Sequence, residues 1–159
     1  GHLQRNKVKY IAPFVQLIHA VDSIRLLKEI NKQGAKNNRV IDCLLQVHIA
    51  EEEAKFGFDE EELKTALTDP ALKEMNNVRV VGLMGMATFT DDTNQIRKEF
   101  KGLKSLFNEL KGSDLPENTI MKELSMGMSG DYKIALEEGS TMVRIGSSIF
   151  GLRSCQIDA

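Results

Sequence analysis

The chain has 159 residues, of which 42% are apolar and 28% charged, and its formal net charge is -2. That length suits one domain with a core of its own. The near-neutral balance leaves no large positive field for nucleic acid or an anionic membrane, and no run is apolar for long enough to span a bilayer.

The start has no signal-peptide pattern. Cys43 and Cys155 show no sign of being paired, so a reducing, cytoplasmic setting is expected. Without Cys-x-x-Cys, and with His2, His19 and His48 scattered, no metal site is expected.

In chain order, "GHLQRNKVKY" reads as the tail of a strand running into a loop. "LIHAVD" (Leu17 to Asp22) is a short strand candidate, after which Asp22 and Ser23 can cap a helix. Ile24, Leu27 and Ile30 share one face of that helix, and Gly34 is placed to end it. "VIDCLLQVHIA" (Val40 to Ala50) is almost continuously apolar and rich in branched residues, as in a strand covered on both faces. "DEEELKTALTD" opens a helix, with Asp59 and Glu62 spaced as a capping box. "VRVVGLMGMATF" (Val78 to Phe89) is the next strand. The clearest helix runs from about Thr93 to Lys111, where Ile96, Phe100, Leu103, Phe107 and Leu110 step by four and three before Gly112. "DDT" at Asp91 to Thr93 is its cap. "IMKELSMGMS" is a strand entry, "GDYKIALEEG" a short helix, and "TMVRIGSSIFG" (Thr141 to Gly151) the last strand.

Five strands with helices between them imply a parallel sheet with right-handed crossovers. Two architectures fit, a doubly wound open sheet or part of a (β/α)8 barrel. A complete barrel takes about 250 residues, so this chain is too short for eight units. Residues 1–159 are read as a single domain.

In parallel α/β folds a ligand lies beyond the carboxyl ends of the strands. Two corners near the chain's end have the right composition. In "MGMSGD", Ser129 would cap the following helix, where free N–H groups favour an anion. In "RIGSS", Gly146 lets the backbone approach a ligand, and Gly146 and Ser147 can donate N–H groups to the same anion. Taken singly, each corner is most simply an N-cap or a turn. Their succession at the ends of adjacent strands brings a phosphate site level with that simpler reading. Arg144 stands two residues before Gly146 inside an apolar strand, so the two should face one side. An arginine there needs either a buried acidic partner or a bound ligand beside it.

"LSMGMSGDYKIALEEGSTMVRIGSSIFG" closely resembles the C-terminal signature of the pyridoxal-phosphate homeostasis protein family. "GHLQRNK", "LIHAVD", "LLQVHIAEEEAKFGF", "VRVVGLMGMATFTDD" and "FKGLKSLFNEL" agree with it in order along the chain. The resemblance implies an alanine-racemase-like (β/α)8 barrel, here the C-terminal two-thirds of one with its first strands missing. It implies pyridoxal 5'-phosphate as cofactor and a non-catalytic role as its carrier or regulator. Matched residue by residue, Ser129 should contact the phosphate, and Gly146 and Ser147 should donate N–H groups to it, with the Ser147 hydroxyl as a further donor. Arg144 should face the pyridine nitrogen, where a cation disfavours protonation and weakens the ring as an electron sink.

Members of the family carry a Schiff-base lysine on the first strand, in a segment of the type A-V-S-K, and this chain has no such segment. Lys7, Lys9 and Lys55 do not match it and read as solvated lysines, with Lys55 the first to check. Cofactor binding should therefore be weakened, or replaced by phosphate or sulfate. Open barrel edges should favour self-association. Two other readings stand beside this one. A racemase-like enzyme would need a lysine and a tyrosine across the ring, and only Tyr10 and Tyr132 exist. The other is a phosphate-binding α/β enzyme unrelated to pyridoxal. Met84, Met86, Met126 and Met128 alternate at two strand ends and read as core or pocket wall, and His19 and His48 as packed or hydrogen-bonded strand residues.

Overall fold

The computed structural model describes residues 2–51 and 56–151. Five strands, β1 (Leu17–Val21), β2 (Ile41–Val47), β3 (Val78–Gly85), β4 (Thr119–Met128) and β5 (Met142–Arg144), form one sheet in the order β1-β2-β3-β4-β5. Every neighbouring pair is parallel. Each crossover carries helix: α2 (Ile24–Lys36), α3 (Glu60–Thr68) with α4 (Pro70–Lys73), α5 (Thr93–Lys111) and α6 (Tyr132–Glu137). A further turn of helix, α7 (Ser147–Phe150), follows β5.

The sheet is curled into half a barrel, and side-chain contacts give the measure of it. In a flat sheet β1 and β4 would lie three strand spacings apart, about 14 Å. Yet His19 of β1 reaches Ser125 of β4 at 3.1 Å. Arg144 of β5 likewise passes over β4 to the carbonyl of Gly85 on β3, at 2.9 Å.

The outer face of the sheet meets the helices in the main core. Ile96, Phe100, Leu103, Phe107 and Leu110 of α5 are all buried there, as their spacing requires. Burial of each such side chain contributes about 1.5–3 kcal/mol. The inner face carries a smaller cluster, Ala20, Leu44, Val81 and Met84, made of strand residues alone. Gly82 marks a shift in register between β3 and both its neighbours. Its φ is 154°, and a Cβ there would stand 1.8 Å from the carbonyl oxygen of Glu123. Only glycine lets β3 and β4 close at this point.

The expected caps are present. Ser23 Oγ accepts from the Leu26 N–H, Asp92 from those of Asn94 and Gln95. Asp59 and Glu62 exchange both bonds of a capping box.

Three readings of the sequence need correction. The opening stretch is a 3₁₀ turn (Arg5–Lys7) running into a short helix α1 (Val8–Ile11), not the tail of a strand. Val8 and Ala12, four apart, are fully buried and seal it to the body. Arg39 fixes its end by donating to the carbonyls of Ala12 at 2.6 Å and Val15 at 2.8 Å. Second, Gly34 does not end α2, which continues to Lys36 and stops at Asn37 and Asn38, the latter at φ 51°. Gly34 instead allows close approach, since a Cβ there would lie 2.8 Å from the Asn77 carbonyl. Third, Thr141 to Gly151 is not one strand. Pairing ends at Arg144, and Ser147–Phe150 is helical.

Candidate functional site

The two corners singled out in the sequence do meet. Ser129 follows the end of β4, and its hydroxyl oxygen accepts the N–H of Gly146 at 3.2 Å and the N–H of Ser148 at 3.3 Å. Ser148, rather than Ser147, supplies the second N–H to that oxygen. Ser147 begins α7 and is exposed. Two backbone N–H groups thus converge on one oxygen position at the carboxyl ends of β4 and β5, an arrangement suited to an anion's oxygen. A Cβ built on Gly146 or Gly130 meets nothing within 4 Å, so the space beside both corners is open.

Ser129 is not the cap of the next helix. That position falls to Asp131, whose carboxylate accepts the Met128 N–H at 2.6 Å and so tightens the turn between β4 and α6. Gly127, at φ 97°, lets α6 pack onto the strand, because a Cβ there would come within 2.6 Å of the Ala135 Cβ. Gly146 lies outside the strand as the structure ends it, so simple alternation with Arg144 does not relate the two.

Arg144 is the last residue of β5. Its Nη1 donates to Ser125 Oγ at 2.8 Å and its Nη2 to the Gly85 carbonyl at 2.9 Å. Both acceptors are neutral. Among the described residues no carboxylate comes within ion-pair distance of it. Burial lowers its affinity for the proton, and Asp131 offsets part of that effect. An arginine remains charged under these conditions. The result is a half-buried, oriented cation with no ion-pair partner among the described residues, which is costly unless something else completes it.

Ser125 is fully buried and links Arg144 to His19, whose Nδ1 lies 3.1 Å from the serine oxygen. His19 has its proton affinity lowered by burial first, then by the Arg144 charge. Ser125, His19, Ser148 and the Gly85 carbonyl are members of the site that sequence reasoning did not single out. The signal for Ser125 was a hydroxyl inside the apolar run "ELSMGM".

Of the methionines, Met84 and Met126 are buried, and Met86 and Met128 line a shallow cavity with Phe89 and Asp131 beside the Ser129 turn. Lys7 and Lys9 are exposed on the opening helical segment, and Tyr10 is 62% exposed there. Lys55 lies outside the described residues.

The sequence matches the alanine racemase N-terminal domain family over residues 1–154. The chain belongs to that family. Within it, the chain groups with the pyridoxal phosphate homeostasis proteins. It is 43% identical over 153 residues to the pyridoxal phosphate homeostasis protein of Aquifex aeolicus, covering 96% of this chain and 65% of that protein. With the one from Haemophilus influenzae the identity is 34% over 154 residues, covering 97% and 63%. The chain therefore spans a little under two-thirds of the length of these relatives. Among solved structures, PipY of Synechococcus elongatus with PLP bound is 30% identical and superimposes with a TM-score of 0.82, over 95% of this chain and 68% of that one. The family fold is the racemase-type α/β barrel, and the five parallel strands here are a curled half of it.

Proposed function

We propose that this chain forms the phosphate- and pyridine-facing side of a pyridoxal 5'-phosphate site, and that its role is to hold and hand on the cofactor. One observation carries the reading. A half-buried arginine whose hydrogen-bond acceptors among the described residues are neutral sits beside a corner where two backbone N–H groups converge on one oxygen position. The cation and the N–H pair suit the two ends of a flat ring bearing a phosphate. The bound cofactor of PipY supports the choice of ligand.

In this reading Gly146 and Ser148 donate to the phosphate, and Ser129 and Ser147 offer their hydroxyls. Arg144 presents its guanidinium to the pyridine nitrogen. A fixed cation there keeps that nitrogen unprotonated, which suits storage better than turnover. No A-V-S-K segment lies within these 159 residues, so these residues by themselves hold the cofactor non-covalently.

The test is a titration with pyridoxal 5'-phosphate, followed by the cofactor's own absorbance because the chain has no tryptophan. Arg144→Ala is expected to weaken binding about tenfold or more, and Ser129→Ala to weaken both pyridoxal phosphate and inorganic phosphate. Borohydride treatment is expected to leave no stoichiometric cofactor on lysine. A stoichiometric lysine adduct, or an Arg144→Ala chain that binds as well as wild type, overturns the reading.

The partners in this reading are the cofactor and a second copy of the chain. Among the described residues, β1 and β5 each have one unpaired edge in the sheet. Unpaired edges recruit other strands.

A further inference from the structure

We propose that His19 is a positioning residue for Arg144, acting through Ser125, so that the imidazole on one side of the half-barrel sets the aim of the guanidinium on the other. The inference rests on the cofactor reading above, because it concerns how the cation of that site is held.

The direction of the hydrogen bonds follows from counting donors. Arg144 Nη1 can only donate, so Ser125 Oγ accepts at 2.8 Å. Ser125 is fully buried, and among the described residues its hydroxyl has one other partner, His19 Nδ1 at 3.1 Å. If His19 donated as well, the serine hydrogen would be left without an acceptor in a buried place. The serine therefore donates to Nδ1, and the neutral imidazole carries its proton on Nε2. The chain runs one way, from guanidinium to hydroxyl to imidazole. Bonds aligned in this way polarise one another.

This geometry does two things. It restrains Nη1, while the Gly85 carbonyl restrains Nη2, so the guanidinium plane has two fixed points. It also ties ligand geometry to the state of an imidazole remote in sequence. A protonated His19 would donate to the same serine oxygen, leave the serine hydrogen without its acceptor, and set a second cation beside Arg144. Among the described residues the charged group that acts on His19 is Arg144 on β5, while Asp131 at the start of α6 acts on Arg144.

The experiment uses the full 159-residue chain. Nitrogen-15 spectra of the ligand-free wild type should show His19 as the Nε2–H tautomer, and resolved Arg144 Nη signals from hindered rotation. In His19→Leu and Ser125→Ala the Arg144 signals should merge. His19→Asn, whose Oδ1 can take the place of Nδ1 as acceptor, should restore them. In titrations, His19→Leu should bind pyridoxal 5'-phosphate about tenfold more weakly while its affinity for inorganic phosphate stays the same. A structural defect alone would lower both. A His19 found as the Nδ1–H tautomer overturns the proposal. So do unchanged Arg144 signals together with an unchanged affinity ratio in His19→Leu. A wild type that binds phosphate but not pyridoxal phosphate overturns the cofactor reading and leaves the spectra to decide the relay.

Discussion

At Arg144, burial disfavours the charge while two neutral oxygens hold its position. The same burial and the same charge act on His19, in the opposite sense for function: they keep it neutral. This has a consequence for stability. His19 is held below its ordinary value of 6.5 by burial, then by Arg144. The unfolded chain takes up the proton near 6.5 and the folded chain only at lower pH, so the unfolded state binds more protons in the window between. His19's contribution is complete above 6.5 and is lost as pH falls through that window. The urea midpoint of the wild type is expected to drop further between about pH 7.5 and about pH 5 than that of His19→Asn. Equal drops in the two chains would show that His19 is not the group responsible.

Among the elements, β3 and α5 show how one residue type takes opposite roles. Gly82 has no room for a Cβ and a φ closed to other residues, whereas Gly102 sits in the exposed interior of α5 with nothing within 4 Å. Gly82→Ala is expected to destabilise by about 2–4 kcal/mol, and Gly102→Ala to stabilise by about 0.5–1 kcal/mol. Denaturant melts of the two variants check both signs. Elements with a long periodic pattern or an unbroken apolar run were legible in the sequence, as α5 and β2 were. Where the chain turns sharply, sequence and structure part. "TMVRIGSSIFG" is rich in strand-favouring residues throughout, yet pairing stops at Arg144, because Gly146 turns the backbone and four residues suffice for a helical turn. The opening helix is only Val8–Ile11, too short for periodicity to register, and burial of Val8 and Ala12 decides it. At the site, Ser129, Gly146 and Arg144 could be named from turn chemistry and from a charge in an apolar run. His19 and Ser125 could not be paired, since a contact between residues 106 apart leaves no local trace.

The described residues form a curved sheet with helices outside, and among them β1 and β5 each keep one edge unpaired. Its inner face is lined by a modest apolar cluster, by the bidentate Arg79–Asp42 pair at 2.9 Å, and by the half-exposed Ile120. In isolation the 159-residue chain is expected to self-associate through its edges, giving a sedimentation mass above that of one copy that rises with concentration. A single monomeric species up to about millimolar concentration would rule this out. The bridge from His19 to Ser125 also bears on the order of assembly. Neighbouring strands pair through a single crossover, whereas this contact closes a loop of 106 residues and needs the strands between to be in place. Long closures are entropically late, so the bridge should form after the rate-limiting step. His19→Leu is then expected to speed unfolding and leave the refolding rate unchanged, as a two-armed denaturant plot would show. A slowed refolding arm would mean instead that the curvature of the half-barrel is set at the start, before its strands are complete.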